Sequence, residues 1–311
     1  MFKGKTVFIL GAGASIPYGF PSGFQLVSEI IENLSRSLKA PILASVGREF
    51  TGSIKQFDED MVKYFRESLS RAVAVSIDDF LEARPEFLNI GKAAIAQVLI
   101  PYEKEHTLFK RNQNNNWYSM IFEVLRKDIN KLEDRQICFI TFNYDRSLEH
   151  YLYTQLRNFL NIPIVECKKV MDKIPIIHVY GHLGYLEWQN ITDFRKYTPI
   201  DDVQNIITGM SQLSVIHEQG GKVQKNFIDA QGLIQECEKI RFLGYGFHST
   251  NTERLNVVGN AKGKDVRATA YRISNLERLI IQKQYEFVIE LDNDNTKDII
   301  HFFRESISLE D

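Results

Sequence analysis

Four short runs hold the residue types that could do chemistry in this chain. Gly11-Ala12-Gly13-Ala14-Ser15 closes an apolar run that starts at Thr6, and Gly19-Phe20-Pro21-Ser22-Gly23 comes soon after. Glycines let a backbone approach a ligand closely. Unpaired N–H groups at a tight turn or helix start attract an anion such as phosphate. Asn143-Tyr144-Asp145 ends a second apolar run, over residues 136–142. His178, Tyr180 and His182 flank Gly181 at the end of a third, and Gly244-Tyr245-Gly246 with His248 ends a fourth. A histidine suits proton transfer near neutral pH.

Each run also has a plainer reading. A dinucleotide fingerprint wants a third glycine where Ile16 stands, and an acidic residue on a second strand about 20 residues on. That region reads as helix, with Glu29 and Glu32 inside it. A tight strand-to-helix turn without a ligand therefore fits equally well. Asn143 fits a turn or cap, and Asp145 fits a first-turn acid favoured by the helix dipole. A histidine near a strand is usually a satisfied structural residue, and loop or cap duty suits His248. Asp79 is explained by its place at the third helical position after the N-cap Ser76.

The elements that would position these runs follow from periodicity. Stretches at 6–10, 136–142, 174–180 and 239–243 read as strands, and strand-like runs follow at 265–269 and 287–291. Helical spacing appears at 24–38, 146–159, 275–283 and 295–306. Strands followed by helices imply a parallel sheet covered on both faces, an α/β Rossmann-like fold. Open α/β sheets hold ligands beyond the carboxyl ends of their strands, and the four runs sit there. Residues 35–134 show no clear strand. Helical spacing at 53–75, 87–102 and 117–132, with a polar loop at 110–116, marks a helical insertion or cap. Residues 1–34 and 135–311 are assigned to the core.

Composition narrows the function classes. Of 311 residues, 38 are basic and 40 acidic, a net charge of −2, so no strong basic field points to nucleic acid. No apolar stretch reaches membrane-spanning length, and the N-terminal run is too short for a secretory signal. Cys138, Cys167 and Cys237 have no zinc-ligand spacing and read as buried free thiols in a reducing cytosol. The expectation is a cytoplasmic protein without a metal.

The order of these runs resembles the sirtuin-like family of NAD-consuming proteins. Gly11-Ala12-Gly13-Ala14-Ser15 with Gly19-Phe20-Pro21 looks like the family's opening Gly-Ala-Gly-x-Ser … Gly-Ile-Pro. Thr141-Phe142-Asn143-Tyr144-Asp145 is similar to its Thr-Gln-Asn-Ile-Asp. His178–Gly184 falls where the family has His-Gly, and Phe242–Gly246 resembles its late strand and ribose loop. The family's four-cysteine zinc module has no counterpart, and Phe142 replaces its Gln. Both differences resemble the bacterial branch that hydrolyses NAD, many of whose members act in anti-phage defence.

The resemblance implies an NAD glycohydrolase. Nicotinamide leaves as a good leaving group, so the site must stabilise the ribose and position a water. It implies Asn143 as the catalytic amide, with Asp145 orienting it or touching ribose. Gly11, Ala12, Gly13 and Ser15 would hold the pyrophosphate, Phe20 and Pro21 would wall the nicotinamide, and Gly244 and Tyr245 would meet the adenosine ribose. The family's His-Gly, matched strictly by its glycine, puts Tyr180 at the catalytic position. The preferred base is His182, with Gly181 turning it toward the cleft. NAD is the expected partner, alongside a protein partner or homo-oligomer that restrains activity. The alternative is a module that binds NAD or an ADP-ribose derivative without hydrolysis.

Overall fold

The computed structural model describes residues 3–34, 59–72, 76–110, 115–127, 129–190, 192–215, 221–286 and 288–309. Its centre is a six-stranded sheet: β1 (Thr6–Leu10), β2 (Ile137–Thr141), β3 (Ile176–His178), β4 (Lys239–Leu243), β5 (Asp265–Ala268) and β6 (Glu290–Leu291). Every ladder is parallel, and the order is β3-β2-β1-β4-β5-β6. This is the Rossmann order. Beside β1, connections run outward to β2 and β3 on one side and to β4, β5 and β6 on the other. A crevice therefore opens beyond the ends of β1 and β4. Every residue of β1 and β2 is buried, as an apolar strand in a sheet covered on both faces must be.

The longer helices are α1 (Gly23–Asn33), α2 (Glu59–Arg71), α3 (Ile77–Ala83), α4 (Leu88–Leu99), α5 (Trp117–Lys127), α6 (Ser147–Asn158), α7 (Ile164–Asp172), α8 (Val203–Ser211), α9 (Lys222–Glu236), α10 (Ser249–Arg254) and α11 (Asn275–Gln284). α2 to α5 lie in the stretch read as a helical insertion, and no strand occurs there among the described residues. Its residues 35–58, and 111–114 of its expected polar loop, lie outside the described residues. So do 35–38 of the first expected helix and 53–58 and 73–75 of the second.

The insertion is bonded into the core. Trp117 Nε1 donates to the Ala14 carbonyl at 2.8 Å, and the Tyr118 amide donates to the Tyr18 hydroxyl at 2.8 Å. The Tyr102 hydroxyl donates to Glu29 on α1 at 2.7 Å. α4 is buried along almost its whole length between α1 and α8.

Several boundaries moved. The third strand is three residues rather than seven, because the chain turns at Val179 and Gly181. The last strand is two residues, and the final helix opens at Phe302 into a wider turn through Ser306. Helices α7, α8, α9 and α10 were not anticipated. α9 carries Val223, Phe227, Ala230, Leu233 and Ile234 on its buried face, a helical spacing that was available in the sequence.

Candidate active site

A cavity of about 820 Å³ lies at this crevice. The ends of four strands line it: Gly11 after β1, Phe142 and Asn143 after β2, Gly244 after β4 and Thr269 after β5. Of the expected site residues, Gly11, Ala12, Gly13, Ser15, Phe20, Pro21, Asn143, Asp145, Gly244 and Tyr245 all line it. The insertion adds Ser76, Ile77 and Asp78, and Ser22 and Gly23 at the start of α1 join them.

The glycines of the first loop allow a close approach of a second loop. A Cβ on Gly11 would lie 2.5 Å from the Gly244 carbonyl oxygen, and one on Gly13 would lie 2.8 Å from the Gly244 Cα. Gly244 itself has φ +56, and its Cβ would meet the Ala14 nitrogen at 2.3 Å. The two loops pack backbone to backbone, so glycine is needed where they touch. The Gly11, Gly13, Ala14 and Ser15 amides are spent on Leu243, Gly244, Gly11 and Ala12 carbonyls respectively. The Ala12 amide is not used in these bonds. Helix α1 begins at Gly23, beside the expected Phe24; two 3₁₀ turns precede it, and Ser22 caps it in a reciprocal box with Gln25.

Asn143 is held firmly. Its Nδ2 donates to the Gly11 carbonyl and to Ser15 Oγ, both at 2.9 Å, and its backbone amide donates to Thr141 Oγ1. A carbonyl accepts only, so the NH₂ end must face Gly11 and the orientation of the amide is settled. Oδ1 has no partner among the described residues. Ser15 Oγ in turn donates to Asp145 Oδ2 at 2.6 Å, and Asp145 Oδ1 accepts from the amide and hydroxyl of Ser147. Burial raises the pKa of Asp145, and these hydrogen bonds partly offset that. Asp145 thus acts on Asn143 through Ser15.

The residues after β3 lie elsewhere. His178 Nδ1 reaches the Asn143 carbonyl at 2.9 Å and Nε2 reaches Glu149 Oε1 at 3.1 Å. Both partners accept, so both ring nitrogens carry protons. Burial opposes the charge, but the Glu149 carboxylate outweighs it and the pKa is raised. Tyr180 and His182 are not among the cavity-lining residues. The Tyr180 hydroxyl donates to Asn251 Oδ1 at 2.5 Å and accepts from Arg254 at 3.4 Å, and burial raises its pKa. His182 packs beside His178 with ring centres 5.3 Å apart. Burial, then the His178 charge, lowers its pKa to about 3. Gly181 does take the left-handed turn, at φ +76. The reason is Gln212, whose carbonyl oxygen would lie 2.0 Å from a Cβ there. The turn pairs Gly181 with Leu213 and leaves His182 away from the cavity.

Two features escaped the sequence reading. Asp78 lines the cavity, accepts from the Tyr144 hydroxyl and from Ser76, and burial raises its pKa to about 6. Asp79 pairs with His248, its Oδ2 lying 3.0 Å from Nε2. Neither pairing has a local sequence signal, since α3 meets the ends of β2 and β4 only in the fold.

The three cysteines are buried free thiols. Among the described residues no helix is long and apolar enough to cross a membrane. No family model matches the chain, and no curated protein matches it.

Proposed function

We propose that the chain binds NAD in this cavity and hydrolyses the bond between nicotinamide and ribose. The observation that carries the reading is Asn143. Its NH₂ group is locked into the β1 loop, which leaves Oδ1 as the fixed free acceptor of a residue that lines the cavity beyond β1 and β4. An acceptor there orients a ribose hydroxyl or the attacking water. Nicotinamide departs from a cationic nitrogen and needs no acid. Asp145 and Ser15 are positioning residues in this reading.

The pyrophosphate meets the Ala12 amide and the first amides of α1, which a helix leaves without internal partners. Phe20 and Pro21 give the nicotinamide its apolar wall, and Gly244 and Tyr245 face the adenosine ribose. Such an enzyme drains cellular NAD, so a protein partner or self-assembly restrains it until a signal arrives. Anti-phage defence by NAD depletion is the setting that its sequence motifs suggest.

The test is nicotinamide release from NAD by the purified full chain. Release by the wild type and its loss in Asn143→Ala support the reading. One observation favours the second reading, a module that binds without hydrolysis: His182 and Tyr180 after β3 do not line the cavity. Saturable NAD binding without nicotinamide release, with and without a cognate partner, would establish that reading instead.

A further inference from the structure

We propose that His248, held by Asp79, is the catalytic residue that accepts the proton of the attacking water. The inference rests on the hydrolytic reading above and supplies the base which the β3 run does not. His248 lines the cavity, close after Gly244 and Tyr245. Its Nε2 pairs with Asp79 Oδ2 at 3.0 Å, reaching across from the loop after β4 to α3. A carboxylate accepts, so Nε2 carries the proton and Nδ1 presents a lone pair. That Nδ1 is buried and has no hydrogen-bond partner. A buried acceptor left without a donor is costly unless a water or ligand completes it.

The backbone shows how the ring is aimed. Phe247 has φ 53, the left-handed region that a bulky residue rarely enters. Such a conformation persists only where the surroundings over-determine it, and it concentrates at functional positions. Here the Phe247 ring is clamped by Phe242, Tyr245 and Tyr285, with ring centres 5.5, 5.3 and 6.3 Å away. The His248 carbonyl accepts from the amide and hydroxyl of Thr252, each at 3.1 Å. His248 occupies the N-cap position of α10, yet its side chain makes no capping bond. The side chain is thus free of the duty that its position suggests.

In the step, the water oxygen bonds to the anomeric carbon as the bond to the nicotinamide nitrogen breaks. The bonding pair leaves with nicotinamide, which departs neutral. The water proton passes to His248 Nδ1 and then to solvent. Asp79 is a positioning residue that fixes the tautomer and the orientation of the ring.

The experiment compares full-length wild type, His248→Gln, His248→Gly and Asp79→Asn, with NAD as substrate and thermal unfolding as the check on folding. His248→Gln should lower kcat roughly 100-fold or more, the scale of losing a positioned base, with KM within about threefold. Added imidazole should restore part of the activity of His248→Gly, which a merely structural role would not permit. Asp79→Asn should lower kcat about tenfold in the wild-type background and have little further effect in His248→Gln, as residues acting as a unit do. A folded His248→Gln protein with kcat within about threefold of wild type overturns the role and leaves the hydrolytic reading standing. A wild type that releases no nicotinamide overturns both.

Discussion

The ends of β3 and β4 carry the same kinds of residue and use them in opposite ways. After β3 come Tyr180, Gly181 and His182, and after β4 come Gly244, Tyr245, Gly246 and His248. At the β3 end the side chains are held away from the cavity: His178 by Glu149, Tyr180 by Asn251 and Arg254, and His182 by burial beside a charged ring, with its Nδ1 unpaired but outside the cavity lining. The next loop is fastened by Arg146, wholly buried, which donates to the Gly184, Tyr185 and Arg195 carbonyls and to Glu103. At the β4 end Gly244 touches the β1 loop and His248 lines the cavity with one nitrogen unpaired. The residue types announce a capacity for chemistry. Access to the cavity, together with the partners already taken, decides which end retains it.

The largest effect that would break this contrast lies at the β3 end and concerns stability. Glu149→Ala leaves His178 buried with its charge partner gone. A buried charge that loses its partner costs about 3–5 kcal/mol, less whatever His178 recovers by giving up its proton. Chemical denaturation should show a loss of about 3 kcal/mol. A loss under about 1 kcal/mol would mean that the pair is not the anchor described.

Next comes Asn143→Ala, which strikes where the β2 end meets the cavity. Nicotinamide release should fall by about two to three orders of magnitude, the cost of losing a fixed transition-state contact. Stability should also fall, by about 1–2 kcal/mol, because Nδ2 ties the β2 end to the Gly11 carbonyl and Ser15. Unchanged turnover in a folded variant would remove Asn143 from the chemistry.

The sequence made much of this legible, and the reason differs from part to part. β1 and β2 are apolar runs buried in the middle of the sheet, so composition alone reveals them, while β4 is buried beside them with Lys239 and Arg241 among its residues. β6 has two residues and little burial pattern to read. The cavity-lining loops were legible because they follow those central strands. What the glycines do there was not, since Gly11 and Gly13 answer to Gly244, far along the chain. The placement of His182 was equally hidden, because it depends on Gln212 closing against Gly181. Asp79 looked like a helix-start acid, but Ser76 takes the Asp78 amide and Asp79 pairs with His248.

Asp78 gives a pH-dependent test of the cavity wall. Burial raises its pKa from the ordinary 3.8 to about 6. The folded state therefore binds this proton more tightly than the unfolded chain does. The stabilisation is full below about pH 4 and is lost as pH rises through 6. Two pKa units correspond to ~3 kcal/mol at most. Asp78→Asn imitates the protonated form, so it should be up to ~3 kcal/mol more stable than wild type at pH 7. The gap should close as pH falls to 4. A gap that stays constant with pH would show that Asp78 is not titrating in this window.

The smallest effect is expected from Tyr180→Phe, and it sharpens the contrast most directly. Tyr180 stands where the glycine-matched motif puts the catalytic side chain. Its hydroxyl instead donates to Asn251 and accepts from Arg254, and Arg254 is itself paired with Glu82 on α3 at 2.7 Å. Removing the hydroxyl forfeits about 1 kcal/mol of hydrogen bonding and leaves the buried ring in place. Asn251 lines the cavity, so a slight loosening there should lower nicotinamide release by less than about fivefold, with KM rising while turnover holds. The burial-raised pKa of the phenol keeps it protonated near neutral pH, so it has no base to lose. A drop in turnover by roughly two orders of magnitude, the scale of losing a catalytic acid or base, would mean that the Tyr180 hydroxyl reaches the reacting atoms. The β3 end would then belong to the active site, and the division drawn between the two strand ends would fail.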